Sequence, residues 1–460
     1  MINSIWRWCG LFIFSFSMFW AACTPEEEII SKGKNLKLSF DQDTLAFDTL
    51  FSAQKSITRV LTVYNRSDKA VETNISLAGG TNSAFSVFVN GKAGVSFDDV
   101  LLRGKDSLII LAEAFIDPRN ESLPFLVEDS LQFETNGNLQ SIKLLGWGQD
   151  AVFIDNWHIK EDTHLLSDKP YVINDSIWVD KDVTLTIPKS SRLYFARDAK
   201  LWVDGSLAVE GKKEEEVLFT YEREDGIYAN GPGQWEGIIL SDKSKAHKID
   251  YAQIRNAEVG IYILQTDEDT IPDLRISNTI IENMSVNGIL AANADIDGFN
   301  LLVTHCMVNS VGNFGNGYYR YRHCTFANDV NPYARQGATL YFSDLLEANA
   351  SSQSFQLVLE NNIIWGNMEE ELVLSVTDPA SELEVKNNLL KLPQSSPWLE
   401  QNILNKEPQF NNPVIYVYTI DSTSAAIDKG VVSTINLDLA ENARDEKPDL
   451  GAYEYIQTEP

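Results

Sequence analysis

"LTIPKSSRLYFARDAKLWVDGSLAVEGKKEEEVLFTYE", residues 185 to 222, is a set of short apolar–polar alternations interrupted at Pro188, Gly205 and Gly211. A two-residue period over about four or five residues predicts short strands, each with one side turned toward a core. Gly233-Gln-Trp-Glu-Gly-Ile-Ile-Leu240 continues in the same manner. Beyond it similar short stretches return: "AQIRN" from 252, "TIIEN" from 279, "CMVNS" from 306, "CTFAN" from 324 and "NIIWGN" from 362. The first four begin 27, 27 and 18 residues apart. Similarity at such periods marks a solenoid whose units stack each on the last. The 38-residue step from 324 to 362 reads as about two coils, with an inserted loop between Pro332 and Ser354. Asn256, Asn283 and Asn328 hold equivalent places and predict a hydrogen-bonded ladder at one bend of successive coils.

Val203-x-Gly205-x-Leu207-x-x-x-Gly211 and Gly233-x-Trp235-x-Gly237-Ile238 resemble the opening coils of right-handed parallel β-helix proteins of the pectate-lyase-like kind. The resemblance implies a β-helix over residues 151–404. Further on, "EPQF" from 407, "STSAAIDKG" from 422 and "PDLGAYEY" from 448 fall in order. They resemble the tail of surface β-helix proteins called choice-of-anchor Q. Residues 405–460 are therefore expected to be a C-terminal capping segment, since a solenoid needs a polar cover on its last coil. Asp428, Asp449 and Glu454 would serve that cap rather than a reaction.

Residues 36–150 read differently. Thr58–Tyr64, Ala84–Val89 and Asp106–Leu111 alternate with strand period, and Asn90-Gly91 and Asn136-Gly137 are hairpin signals. About seven strands in this span predict a β-sandwich. Val60-Leu-Thr-Val-Tyr-Asn65, Phe115-Ile-Asp-Pro118 and Leu144-Leu-Gly-Trp-Gly148 resemble immunoglobulin-like domains related to the abnormal-spindle and Hydin type. The expected fold class is thus all-β: an immunoglobulin-like β-sandwich, then a right-handed parallel β-helix with a C-terminal cap.

The start of the chain is a processing segment. Leu11–Trp20 is an apolar run too short to span a bilayer, and Arg7 is its only charge. Ala21-Ala22-Cys23 resembles the lipobox of bacterial lipoproteins. That implies a signal peptide over residues 1–22 and a lipid on Cys23, which anchors without a spanning helix. Residues 23–35 form an acidic tether. Its Glu26-Glu27-Glu28 cluster resembles the surface-export signal of lipoproteins from glycan-using Gram-negative bacteria. The expected location is the outer membrane, exposed at the cell surface. The net charge of −29 excludes nucleic acid, whose phosphates need a concentrated basic surface. A monomer is expected.

The dipeptide His305-Cys306 returns as His323-Cys324. If residues 306 and 324 open equivalent strands, the two cysteines stack one coil apart, about 4.8 Å, and so do the two histidines. Successive side chains of a strand point to opposite faces, so one pair faces inward and the other outward. Four ligands cannot then converge on a zinc ion, which holds all of them within about 2.3 Å; no metal site is expected. A Cys306–Cys324 disulfide suits an oxidising compartment, but parallel stacked side chains fit its torsion poorly. Stacked thiols are the preferred alternative.

Chemistry is sparse. The N-x-D, D-D and G-H-G pattern of β-helix glycoside hydrolases does not occur along the coils, and no catalytic residue is assigned. A lyase would need a basic residue such as Arg320 or Arg322 to take a proton, with calcium held by Asp267-Glu268-Asp269 or by Asp295 and Asp297. Those acids read more simply as solvated loops, and no cofactor is otherwise expected. Tyr318, Tyr319, Arg320, Tyr321 and Arg322 are the candidates for glycan binding, because rings stack on sugars and guanidinium groups grip carboxylate or sulfate. Alternation puts Tyr318, Arg320 and Arg322 on one face and Tyr319 and Tyr321 on the other. The expected function is non-catalytic binding of glycans or other surface partners. The alternatives are a polysaccharide lyase or another polysaccharide-active enzyme, and a spacer or adhesin.

Overall fold

The computed structural model describes residues 29–457 apart from 224–225, 265–270, 331, 347–353 and 394–400. The signal peptide, Cys23, the first part of the tether and Asp267-Glu268-Asp269 lie outside the described residues. The chain separates into two compact units between residues 150 and 151.

In the first unit, the described residues form two five-stranded sheets packed face to face around Leu61, Val63, Ile75, Val87, Ile110, Phe133 and Leu144. Inward positions alternate with solvated ones, as in Ser107–Ala114. The Asn-Gly pairs perform as hairpin turns: Asn90 and Gly91 take φ of 49° and 76°, Asn136 and Gly137 52° and 76°. Those are the two positive φ values that a tight hairpin of matching twist requires. Among the described strands, pairing is antiparallel except where Asn138–Gln149 runs parallel to Thr44–Phe51, and an isolated bridge joins Ile30 to Ala70 in parallel. Among the described residues ten strands are present rather than about seven, and two of the additional ones, Ser39–Phe40 and Lys92–Gly94, are too short to show a period.

The second unit is a parallel β-helix. The opening coils carry one long strand, Tyr171–Val179, that pairs with both Arg192–Phe195 and Lys200–Val203; the coils after it make three strands, as in Gly317–Arg322, Thr325–Asn328 and Leu340–Ser343. Among the described residues the first kind of strand stacks into a nine-stranded sheet, and the other two kinds share one of 18 strands. Every described rung of both sheets is parallel, with the core running inside as columns of Ile, Leu, Val and Phe. Gly205 and Gly211 break the opening stretch for a steric reason. A Cβ at Gly205 would lie 2.0 Å from the Val183 carbonyl oxygen, and one at Gly211 would lie 1.9 Å from that of Tyr251.

The strand register corrects the repeat frame. Gln253, Ile280, Leu302, Thr325 and Ile363 stack in line, in steps of 27, 22, 23 and 38. The equivalent of "TIIEN" is therefore Leu301-Leu-Val-Thr-His305, not "CMVNS". The last step is one coil rather than two, swollen by insertions after Asn328 and Ser343. Arg335, in the first insertion, is fastened by a fully buried ion pair to Glu371, Nη2 to Oε2 at 2.6 Å.

The bends explain both His-Cys pairs. Tyr251, Asn278, Asn300, His323, Asn361 and Asn387 stand between the first and second strands of successive coils, all with φ between 47° and 59°. Asn256 just after its second strand, and Asn283 and His305 at the last-but-one place of theirs, mark the turn toward the third strand at 65°, 63° and 54°. Asn tolerates this left-handed conformation best among residues with a side chain. The expected ladder is present in part: Asn283 Nδ2 donates to Asn256 Oδ1 at 3.3 Å, and at the other bend Asn300 Nδ2 donates to Asn278 Oδ1 at 2.9 Å. His305 interrupts the first, and Asn328 turns inward to accept from the Cys306 N–H. His305-Cys306 thus belongs to one bend and His323-Cys324 to the other.

The expected stacking of the cysteines is therefore wrong. Cys306 is in register with Met284, while Cys324 precedes Thr325, the partner of Leu302. Both are buried thiols, and there is no Cys306–Cys324 disulfide. Cys324 instead heads an inward amide ladder. Its N–H donates to Asn362 Oδ1 at 2.8 Å, Asn362 donates to Asn388, and Asn388 to Asn402.

Residues 405–457 close the helix along a flank. Tyr418, Leu439 and Ala452 cover Leu302 and Ala327, and Ile420, Ala426 and Leu450 cover Ile363, Trp365 and Leu389. Thr304 Oγ1 donates to the Tyr418 hydroxyl at 2.8 Å, and the Ala452 N–H donates to Thr325 Oγ1 at 2.9 Å. Asp449 accepts from the N–H groups of Asp428 and Tyr455, and Glu454 accepts from Arg444 and from the Asp449 N–H. These acids hold the tail's own turns in shape.

Candidate functional site

The strand Gly317–Arg322 lies in the nine-stranded sheet. Gly317 opens it at φ 133°, a conformation that L side chains rarely adopt, and its Cβ would lie 2.3 Å from the Ala294 carbonyl oxygen. Alternation then sorts the five candidates. Tyr319 and Tyr321 are fully buried and meet Phe355, Phe326 and Phe342 in the core. The Tyr321 hydroxyl accepts from Asn313 Nδ2 at 3.1 Å. As glycan contacts, Tyr319 and Tyr321 are corrected: they have no surface to offer. Tyr318, Arg320 and Arg322 face outward and are half-buried.

The two guanidinium groups gather on Asp297, in the adjacent strand Ile296–Phe299. Arg320 grips it with two bonds, Nε to Oδ1 at 2.9 Å and Nη2 to Oδ2 at 2.7 Å, and Arg322 Nη2 reaches Oδ1 at 3.1 Å. Such two-pronged pairs fix both partners. Burial by itself would raise the Asp297 carboxyl, but the bonds and charges of the two arginines outweigh it and hold it below the ordinary carboxylate value. Burial pulls Arg320 the other way, and the Asp297 contact more than offsets it, so the guanidinium keeps its proton more tightly than usual. The Arg320 guanidinium also stands 5.7 Å from the centre of the Tyr318 ring.

Register extends this cluster along the helix. Arg320 pairs with Asp297, Asp297 with Arg275, and Arg275 with Lys248. Arg275 and Lys248 are exposed. One row on this face therefore reads Lys248, Arg275, Asp297, Arg320. Beside it run Ser277, Phe299 and Arg322, with Phe299 half-buried. Beyond Arg320 comes Val358, and beyond Arg322 comes Glu360, which lies 3.5 Å from Lys386 Nζ. The result is a ledge of mixed charge four coils long, with Lys248, Arg275, Arg320 and Arg322 set among Asp250, Asp295 and Asp297 and two aromatic rings on its surface, on a chain of net charge −29.

Lys248, Arg275 and Phe299 were not among the sequence candidates, and Asp297 was one only as a calcium ligand beside Asp295. Their signal is the coil period itself. Lys248, Arg275, Asp297 and Arg320 follow in steps of 27, 22 and 23, the steps that relate Gln253, Ile280, Leu302 and Thr325.

Asp295 Oδ1 accepts from the Tyr318 N–H at 2.7 Å, while Asp297 is occupied by guanidinium groups. Among the described residues no group of three or more His, Cys, Asp or Glu is placed to hold a metal ion.

No protein-family model matches the chain, and no curated protein does. Several solved structures are similar. The pectate lyase Pel9A is 12% identical with a TM-score of 0.33, over 67% of this chain and 88% of that one. A PapD-like domain of human CEP192 is 12% identical with a TM-score of 0.17, over 28% of this chain and 90% of that one. A family 123 glycoside hydrolase from Clostridium perfringens is 8% identical with a TM-score of 0.20, over 26% of this chain. This chain spans 30% of that hydrolase. At such values the fold assignment rests on the strand register described above.

Proposed function

We propose that this chain is a lipid-anchored protein on the outer face of a Gram-negative outer membrane, and that its β-helix holds an acidic glycan without transforming it. The observation that carries the reading is the gathering of Arg320 and Arg322 about Asp297, in line with Arg275 and Lys248. Pinned guanidinium groups lose little side-chain freedom on binding and present fixed donors to carboxylate or sulfate. A lyase with Arg320 as its base would ask it to release a proton, and Asp297 acts against that by stabilising the charged form. A hydrolase would need a carboxylic acid on this face that keeps its proton, whereas Asp297 is held ionised.

A glycan array followed by calorimetry tests the reading. Arg320→Ala and Arg322→Ala should each weaken an acidic glycan roughly tenfold or more, since bonds to charged groups are the strong ones. Growth of ultraviolet absorbance from an unsaturated uronide, with calcium present, would show a lyase and overturn the proposal. Binding to no glycan at all would replace it with the spacer or adhesin reading.

A further inference from the structure

One end of the first unit has a charge unlike the rest of the chain. Four segments meet there. The parallel bridge between Ile30 and Ala70 brings in the start of the described chain, and the Ser31 N–H donates to the Ala70 carbonyl at 2.8 Å. At the hairpin turn, the side-chain amides of Asn136 and Asn138 donate to the Gly33, Lys34 and Leu36 carbonyls. The Asn65 side-chain amide donates to the carbonyls of Lys69, Leu102 and Arg103, and the Lys105 N–H donates to that of Ser67. The turns tied together in this way carry Lys32, Lys34, Lys37, Arg66, Lys69, Arg103 and Lys105, all exposed. Residues 29–150 contain twelve Lys and Arg and fifteen Asp and Glu. Seven of those cations lie at this end, against two of the acids, Asp68 and Asp106. Asp68 is paired with Lys105 at 3.1 Å. Glu72 and Glu134 lie inside the strands Val71–Leu77 and Phe125–Thr135 and face out sideways from their sheet. Ile29, 73% exposed, enters among the lysines.

We propose that this basic end of the sandwich seats on the phosphate-bearing headgroups of the membrane that anchors the chain. The inference rests on the lipid-anchor part of the proposed function and is independent of the glycan. Its second support is chain length. Ile30 is fixed to the sandwich, so seven residue steps separate it from Cys23. A chain spans at most about 3.6 Å per residue, which keeps this end within about 25 Å of a lipid on Cys23. Headgroup phosphates attract Lys and Arg over about 8 Å at physiological salt, and Ile29 suits the boundary between headgroup and acyl chain. The patch orients the chain and does not hold it alone. It carries a charge of +5, whereas the chain without residues 1–22 carries −30, which leaves −35 on the remainder. Three of those charges are Glu26, Glu27 and Glu28, between Cys23 and Ile29 in the sequence, and counting them with the patch still leaves +2. Once the lipid brings the chain to the surface, this is the end that the headgroups attract.

Energy transfer from an uncharged dye on Asn35→Cys, an exposed turn position, to a headgroup-labelled lipid measures the seat. Cys306 and Cys324 are buried and Cys23 carries the lipid, so the dye takes position 35 alone. The lipidated full-length chain is placed in vesicles of phosphatidylcholine, with and without phosphatidylglycerol, and flotation reports attachment. In the anionic vesicles the dye should lie within about one Debye length, 8 Å, of the headgroups. In neutral vesicles, or in anionic ones at high salt, it should recede toward the limit of the tether. Lys32→Glu, Lys34→Glu and Lys69→Glu together should abolish the difference between the two vesicle types. Lys55→Glu with Lys143→Glu, elsewhere on the sandwich, should preserve it. A chain that floats but shows equal transfer in both vesicle types overturns the seat and leaves the lipid anchor standing. A difference that emerges only after Glu26, Glu27 and Glu28 are replaced by Ala assigns the patch to the chain's own tether and overturns the seat as well. A chain that does not float overturns the anchor, and this inference with it.

Discussion

His247 stands in register with Leu274 and is 2% exposed, so its ring must do without water. Its Nδ1 accepts the Leu207 N–H at 3.1 Å, leaving the proton on Nε2, 2.9 Å from the Ser244 hydroxyl. Burial pushes its pKa down from 6.5 to about 3. His305, stacked on Tyr416 at 4.3 Å, falls to about 4 by burial. His323, whose Nε2 meets the Asn361 amide at 2.9 Å, falls to about 2 by burial and by the charges of Arg444 and Arg322. The native state refuses protons that the unfolded chain accepts, so stability is fully present above pH 6.5 and is lost as pH falls toward these lowered values. At pH 5 each ring contributes a loss on the order of 2 kcal/mol, about 6 kcal/mol together. His323→Asn should remove about one third of that loss, because Asn already holds the neighbouring left-handed places at 300 and 361. Urea unfolding at pH 7.5 and pH 5 measures the difference. An unchanged gap between the two pH values in the variant would count against a neutral buried His323.

The short strands between Pro188, Gly205 and Gly211 were legible as elements because their period of two survives burial of one face. The coil register was legible only in part. Both bends of a coil pair a left-handed residue with a buried one, so a match on His-Cys slid from one bend to the other and yielded a step of 18. The columns Gln253–Ile280–Leu302–Thr325 show no common letter, since they are set by backbone pairing and not by residue type. The ledge was invisible for the same reason: Arg275 and Arg320 become neighbours only through that register. The tail was recognisable as a closing element, but its place on a flank depends on which outer residues of the coils are apolar. Removing residues 405–460 should expose Leu302, Ala327, Ile363, Trp365 and Leu389 together, and a contiguous apolar face of this kind drives association. The truncated chain should elute as aggregate in size-exclusion chromatography. The milder Tyr418→Ala, which empties a fully buried aromatic site, should cost about 3–5 kcal/mol in urea unfolding. A monomeric truncation that unfolds cooperatively would show that the flank needs no cover.

The whole molecule is strongly acidic, and the proposed attachment to a membrane has to be reconciled with that charge. No described helix is long and apolar enough to span a bilayer, and Leu11–Trp20 is about half of the twenty residues a spanning helix needs. Removal of residues 1–22 takes Arg7 with it, leaving 36 Lys and Arg against 66 acids, a net charge of −30. Surfaces of that sign are repelled by anionic lipid headgroups, so electrostatic adsorption cannot substitute for an anchor. Stable attachment through lipid takes more than one acyl chain, which is what the lipobox-like Ala21-Ala22-Cys23 implies. Cys23→Ala should therefore transfer the protein from the detergent-soluble membrane fraction to the soluble fraction. The transfer should be essentially complete and should not reverse at low salt, where a basic protein would re-adsorb. Protease treatment of intact cells making the unaltered chain should digest residues 29–460 if they face outward. Unchanged partitioning of the Cys23→Ala variant would remove the lipid from the account, and full protection of the unaltered chain would place the face of Arg275 and Arg320 on the periplasmic side.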